Sequence, residues 1–158
     1  MDAKTKDKIW AHIAEIKTAM MVMNTGHGMK ACPMQIVQDS FDEKIWFFTH
    51  YDSEKSKIIS QSHEVCLTFE KNSGFYISLS GQARVIQDKA LIQELWSPTV
   101  ETWFPKGQSS NDVALIEIDK ISGEYWDAEI NTLEYLFEIT KAHFTQQKPE
   151  ITETKDFA

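Results

Sequence analysis

Between Thr49 and Lys57 the chain gathers side chains that could grip an anion. In IWFFTHYDSEKSKII, Ile45 to Ile59, Thr49, Ser53 and Ser56 supply hydroxyls, and Lys55 and Lys57 supply ammoniums. They follow an aromatic run, Ile45-Trp46-Phe47-Phe48, that reads as a core strand. Asp52 or Ser53 is placed to N-cap a short helix through Gln61, with Ile58 and Ile59 on its apolar side. A helix start presents unpaired N–H groups and a partial positive charge. That combination suits a phosphate monoester, which carries nearly two negative charges at neutral pH. The plainer reading makes Ser53 an ordinary cap and the lysines a solvated face.

Other chemistries have weaker support. His27, Cys32, His50, His63 and Cys66 could converge on a metal only through the tertiary fold, because no HExxH or CxxC is present. Surface histidines and small buried thiols are the simpler account, and no metal is expected. Gly26-His27-Gly28 reads as a turn, and neither GxGxxG nor GxxxxGK[ST] occurs. Asp112, Glu117 and Asp119 read as solvated strand edges. No residue stands out as a general base.

These residues must be positioned by one domain. The chain has 158 residues, 42% hydrophobic and 25% charged, which is the make-up of a single globular unit. A net charge of −8 disfavours broad attraction to nucleic acid or an anionic membrane. No apolar run reaches the ~18 residues needed to span a bilayer. The first residues lack the apolar core of a signal peptide, so a cytoplasmic protein is expected. Two cysteines make no disulfide framework.

The periodicity predicts a helix from Lys4 to Met20, with Ile9, Ile13, Ile16 and Met20 on one stripe. Strands follow at Met20–Asn24, Lys30–Gln38, Lys44–Thr49 and Glu64–Glu70. Phe75–Ile86 alternates throughout, with Phe75, Ile77, Leu79, Gly81, Ala83 and Val85 facing one way. Asp88 caps a helix through Trp96, and SPTVETWFPKGQSSN reads as irregular. Two further strands, Val113–Ile118 and Gly123–Ile130, precede a final helix capped by Asn131, with Leu133, Leu136, Phe137 and Thr140 on its inner side. One domain is expected over residues 1–145, with a polar tail over 146–158. Six or seven strands joined by short turns make a largely antiparallel sheet that can close into a small barrel.

In this order and spacing, KACPM, IWFFTHYDSEKSKII, EVCLTFE, YISLSGQARVIQDKALIQELW, WFPKG and GEYWD resemble one family. The chain resembles the general stress protein 26 branch of the pyridoxamine 5'-phosphate oxidase-like, FMN-binding split-barrel superfamily, over roughly residues 5 to 130. The resemblance implies a mainly β fold, a six-stranded antiparallel split barrel with flanking helices. It implies a homodimer with FMN in a groove at the subunit interface. Phe48 and Thr49 would sit at the strand end beside the flavin, and Ser53 and Lys55 would hold its phosphate with Lys57 nearby. Cys32, Pro33 and Met34 would run along the flavin. Tyr76 would reach the flavin from the neighbouring subunit, and Trp96, Trp103 and Phe104 would line the groove.

One departure stands out. The family usually reads Arg-Pro-Met where this chain reads Cys32-Pro33-Met34, and the only arginine is Arg84. Loss of a charge-assisted contact to a phosphate costs about 1.5–3 kcal/mol. Lys30, two residues upstream on the same strand face, is the candidate to compensate. The resemblance thus implies a flavin-dependent oxidoreductase, with NAD(P)H as a donor. The alternative is a non-catalytic flavin-binding or stress-response dimer with a weakened or lost site. A third reading is haem handling on the same barrel through a histidine such as His143.

Overall fold

The computed structural model describes residues 3–71, 74–127 and 153–157. Its helices are α1 (Ala3–Ile16), α2 (Glu54–Gln61), α3 (Lys89–Leu95) and α4 (Pro98–Trp103). Its strands are β1 (Thr18–Asn24), β2 (Met29–Gln35), β3 (Ile45–His50), β4 (Glu64–Lys71), β5 (Phe75–Ile86), β6 (Val113–Asp127) and β7 (Glu153–Phe157). Six strands pair antiparallel in the order β2-β1-β4-β5-β6-β3, and β7 adds to the far half of β6. This is the mainly β, six-stranded antiparallel split barrel with flanking helices. No helix among the described residues is long and apolar enough to cross a membrane.

Alternation builds the barrel. On β5, Phe75, Ile77, Leu79 and Ala83 are buried, while Tyr76, Ser80 and Arg84 face out. Ala19, Met21 and Met23 of β1 point into the same core. β3 and the first part of β6, Val113 to Ile118, break the rule because both of their faces are covered. Ile45 and Phe47 enter the barrel, while Trp46 joins Val113, Leu115, Ile92, Val100 and Phe104 in a second core under α3 and α4. The unbroken run Ile45-Trp46-Phe47-Phe48 follows from this double burial. Each fully buried side chain of this size contributes about 1.5–3 kcal/mol.

Several elements differ from the sequence expectation. Helix α1 ends at Ile16, because Lys17 adopts φ 60 and its amide donates to the Ile13 carbonyl at 2.8 Å. Met20 therefore belongs to β1 and faces outward, 41% exposed, instead of extending the helical stripe. The two strands expected at Val113–Ile118 and Gly123–Ile130 are one strand as far as it is described. β5 is long enough to pair with both halves, and the irregularity is absorbed by a register shift between Ser80 and Gln82 and by Lys120 at φ 50. Gly123 permits the close passage: a Cβ there would collide with the Ser78 carbonyl oxygen. The stretch expected to be irregular holds α4, capped by the Ser97 hydroxyl with Pro98 at its start. Part of the expected polar tail, Glu153–Phe157, is strand β7. The expected final helix from Asn131, and His143, lie outside the described residues.

The ladder has two ends, β2 and β3, and they do not pair as strands. Past the end of β2, the Val37 amide donates to the Trp46 carbonyl at 3.4 Å. The Gln38 side chain completes the junction, donating to the Lys44 carbonyl at 2.6 Å and accepting from the Trp46 amide at 2.8 Å. Beside this junction the barrel is split, and a groove runs along the opening.

Candidate functional site

The groove has a volume of ≈ 1050 Å³. Its walls are Pro33 and Met34 of β2, Phe48, Thr49 and His50 of β3, Lys55 of α2, and the α3–α4 segment. One end is polar and the other is aromatic, and each polarity follows from local structure.

The polar end is the turn from β3 into α2. Ser53 is the N-cap, with its backbone extended and its hydroxyl accepting from the Ser56 amide at 3.2 Å. The hydroxyls form a chain: Thr49 Oγ1 lies 3.0 Å from Ser53 Oγ, and Ser53 Oγ lies 2.8 Å from Ser56 Oγ. The chain ends where Ser56 Oγ donates to the His50 carbonyl at 2.9 Å. Thr49 and Ser56 are buried at 2% and 5% exposure, so the chain is structural as well as polar. Lys55 completes this end. It lines the groove and makes no ion pair among the described residues.

The aromatic end is built on the outward face of β3. Phe48 meets Trp96 edge-on with centroids 5.5 Å apart, and Phe104 at 5.8 Å. Trp103, also on the wall, is 72% exposed. His50 lies against Phe104 at 4.6 Å, and its Nδ1 is 2.8 Å from Asp112 Oδ2.

The structure brings Pro33, Met34, Phe48, Thr49, Lys55, Trp96, Trp103 and Phe104 to one groove. Ser53 stands just behind it, joined through Thr49. Lys30, Cys32, Lys57 and Tyr76 are not among its lining residues. The Lys30 ammonium is held by Glu54, and this hydrogen bond and charge keep the Glu54 carboxyl below its ordinary pKa. Cys32 is half-buried against the barrel core, and Lys57 is exposed on α2. Tyr76 is 43% exposed on the outer face of β5.

Two expectations need correction. Glu117 is no solvated strand edge: it is 5% exposed and ion-paired with Lys44 at 2.9 Å and with Arg84. Burial pushes its carboxyl pKa up, but the hydrogen bonds from Lys44 and Arg84 outweigh burial and hold it low. Nor is Asp112 merely an edge residue, because it orients His50. Its partner lies 62 positions away, so no local pattern could have announced the pair. No group of three or more potential metal ligands comes together among the described residues.

A sequence model of the family described as pyridoxamine 5'-phosphate oxidase like matches residues 4–150. The chain belongs to this family. Solved structures share its fold. A protein from Jannaschia sp. CCS1, described as a general stress protein 26, is 25% identical with a TM-score of 0.75, covering 98% of each chain. A general stress FMN/FAD binding protein from Xanthomonas citri is 29% identical with a TM-score of 0.65, over 75% of this chain and 84% of its own. A protein from Clostridium acetobutylicum related to general stress protein 26 is 20% identical with a TM-score of 0.71, over 83% of this chain and 94% of its own. No curated protein matches the chain.

Proposed function

We propose that the groove binds FMN, with the phosphate at the start of α2 and the ring along the split between β2 and β3. The observation that carries this reading is Lys55. It is a cation with no ion pair among the described residues, and it lines the same aromatic-walled groove as Thr49. The volume of ≈ 1050 Å³ lies just above the usual range for small-ligand pockets, about 300–1,000 Å³, and is ample for a mononucleotide. Family membership and the FMN/FAD-binding relative from Xanthomonas citri point the same way.

In this reading Thr49, Ser53 and Lys55 hold the phosphate, and Phe48, Trp96 and Phe104 exclude water from the ring. A bound flavin would supply hydride or single-electron chemistry at its N5. The protein is then a cytoplasmic, stress-linked, FMN-dependent oxidoreductase that takes reducing equivalents from NAD(P)H. It works as a homodimer, whose contact is the outer face carrying Met20 and Tyr76, with Tyr76 reaching the flavin of the other subunit. One observation favours a second reading, a flavin-binding dimer without turnover. Cys32 removes the family's usual arginine, and Lys30 is engaged by Glu54.

The test is the double variant Thr49→Ala/Lys55→Ala. Loss of charge-assisted contacts worth about 1.5–3 kcal/mol predicts FMN affinity at least tenfold weaker, with circular dichroism unchanged. Unchanged affinity would place the site elsewhere. Steady oxidation of NAD(P)H by the FMN-loaded chain separates the oxidoreductase from the binding protein.

A further inference from the structure

We propose that a second cavity, between α1 and the end of the β3–β6 ladder, binds a free aromatic α-amino acid. It shares only Ile13 and Asp42 with the groove, and the proposal stands independently of the flavin reading.

The cavity has a volume of ≈ 450 Å³, within the usual range for small-ligand pockets, about 300–1,000 Å³. Helix α1 turns Ile9 and Ile13 towards the barrel, where they share an apolar floor with Ile45 and Leu79. None of the four is more than 4% exposed. Trp10 and Phe41 stand on the wall, with ring centroids 5.5 Å apart and planes at 32°. An apolar floor beside two half-buried rings suits an aromatic side chain. A seam that served only to dock α1 would be packed to interior density, without a cavity of this size.

The mouth follows from the backbone. The β3–β6 ladder stops at the pair Ile45 and Ile118. Beyond it Glu43 adopts φ 72 and Lys120 adopts φ 50, left-handed backbone that takes the two chains out of the ladder. β6 also shifts register against β5 here, between Ser80 and Gln82. Such bulges re-aim side chains. The result is a charged rim above the apolar floor.

The rim charges define the ligand. Lys6 pairs with Glu43 at 3.2 Å, Lys44 with Glu117 at 2.9 Å, and Asp119 with Arg84 at 3.2 Å. Two opposite charges of the rim, Asp42 and Lys120, make no ion pair among the described residues. Asp42 Oδ1 accepts from the Lys44 amide at 3.3 Å. Both residues flank the ladder end, Asp42 three residues before Ile45 and Lys120 two residues after Ile118. One free carboxylate and one free ammonium above an apolar floor match a zwitterion with an aromatic side chain. Its ammonium meets Asp42, its carboxylate meets Lys120, and its ring enters beside Trp10 and Phe41.

The experiment titrates the full chain with L-phenylalanine at low ionic strength and follows the tryptophan indole ¹H–¹⁵N signals. Affinity of about 1 mM or tighter is expected, because both rim charges are exposed and exposed ion pairs add little. The Trp10 signal, assigned with Trp10→Phe, should shift to saturation, while those of Trp96 and Trp103 in the groove stay in place. 3-Phenylpropionate lacks the ammonium and phenethylamine lacks the carboxylate, and each should bind about two- to fivefold more weakly. Lys120→Gln and Asp42→Asn alter exposed side chains and should keep the fold. Each should weaken phenylalanine about two- to fivefold. Lys120→Gln should leave phenethylamine binding unchanged, and Asp42→Asn should do the same for 3-phenylpropionate. No Trp10 shift at about 20 mM phenylalanine, some twentyfold above the expected affinity, would overturn the proposal. Equal affinity for the three compounds would also overturn it, leaving an unselective apolar cavity, as would wild-type affinity in both variants. Shifts at Trp96 and Trp103 instead of Trp10 would move the amino acid to the groove and overturn it as well.

Discussion

Replacing Ser53 by alanine should destabilise the protein by about 2–4 kcal/mol, through two effects at one oxygen. The hydroxyl is the N-cap of α2, accepting from the Ser56 amide at 3.2 Å, and loss of such a cap costs about 1 kcal/mol. It also partners Thr49 Oγ1 at 3.0 Å. Thr49 is 2% exposed, and its remaining contact, to the His50 carbonyl, is a long 3.4 Å. A buried hydroxyl left without a good partner costs about 1–3 kcal/mol. For a chain of this size the sum corresponds to a fall in melting temperature of about 4–16 °C. The assay is urea unfolding followed by tryptophan fluorescence, where the midpoint should drop at constant slope. Ser53→Gly separates the two effects, because glycine costs an N-cap only a few tenths of a kcal/mol. It should fall between wild type and Ser53→Ala. A Ser53→Ala chain within about 0.5 kcal/mol of wild type would refute the reasoning and reduce the hydroxyl chain to a surface detail.

Three further outcomes are expected. Glu117 has a depressed carboxyl pKa in the folded state, so its stabilisation is present above the ordinary glutamate pKa of about 4.3 and is lost as pH falls through the folded value. Glu117→Gln should therefore be less stable than wild type at pH 7, with the gap closing in acid; an equal gap at both pH values would contradict this. Cys32→Arg should tighten FMN binding about tenfold in a titration, since Lys30, on the same face of β2, already reaches Glu54 at the start of α2. No gain would mean that this strand face does not approach the phosphate. Gly123→Ala should sharply lower the urea midpoint or leave the chain insoluble, because its Cβ would meet the Ser78 backbone; a wild-type midpoint would disprove that contact.

Much of this was legible in residue order, and the reasons are local. The alternation of Phe75–Ile86 defined β5 because one face meets the core and the other water. Ser53 and Asp88 announced α2 and α3, because a cap acts on amides two or three residues away. The hydroxyl-rich turn from Thr49 into α2 was readable for the same reason. Non-local geometry was not readable. His50 with Asp112, Lys30 with Glu54 and Lys44 with Glu117 are pairs made by strands and helices folding together. Lys30 looked like a spare cation in sequence and is engaged in the fold. α4 was hidden because its six residues, PTVETW, are too few to show a helical period. Its cap and proline were the signals present.

The central claim is that the groove takes FMN despite Cys32. The direct measurement is titration of the purified chain with FMN, followed by quenching of flavin fluorescence. The account predicts saturation near one flavin per chain at micromolar affinity or tighter. Absence of quenching at high micromolar FMN would contradict it, and would mean that Lys55 and the Thr49 turn do not make up for the missing arginine.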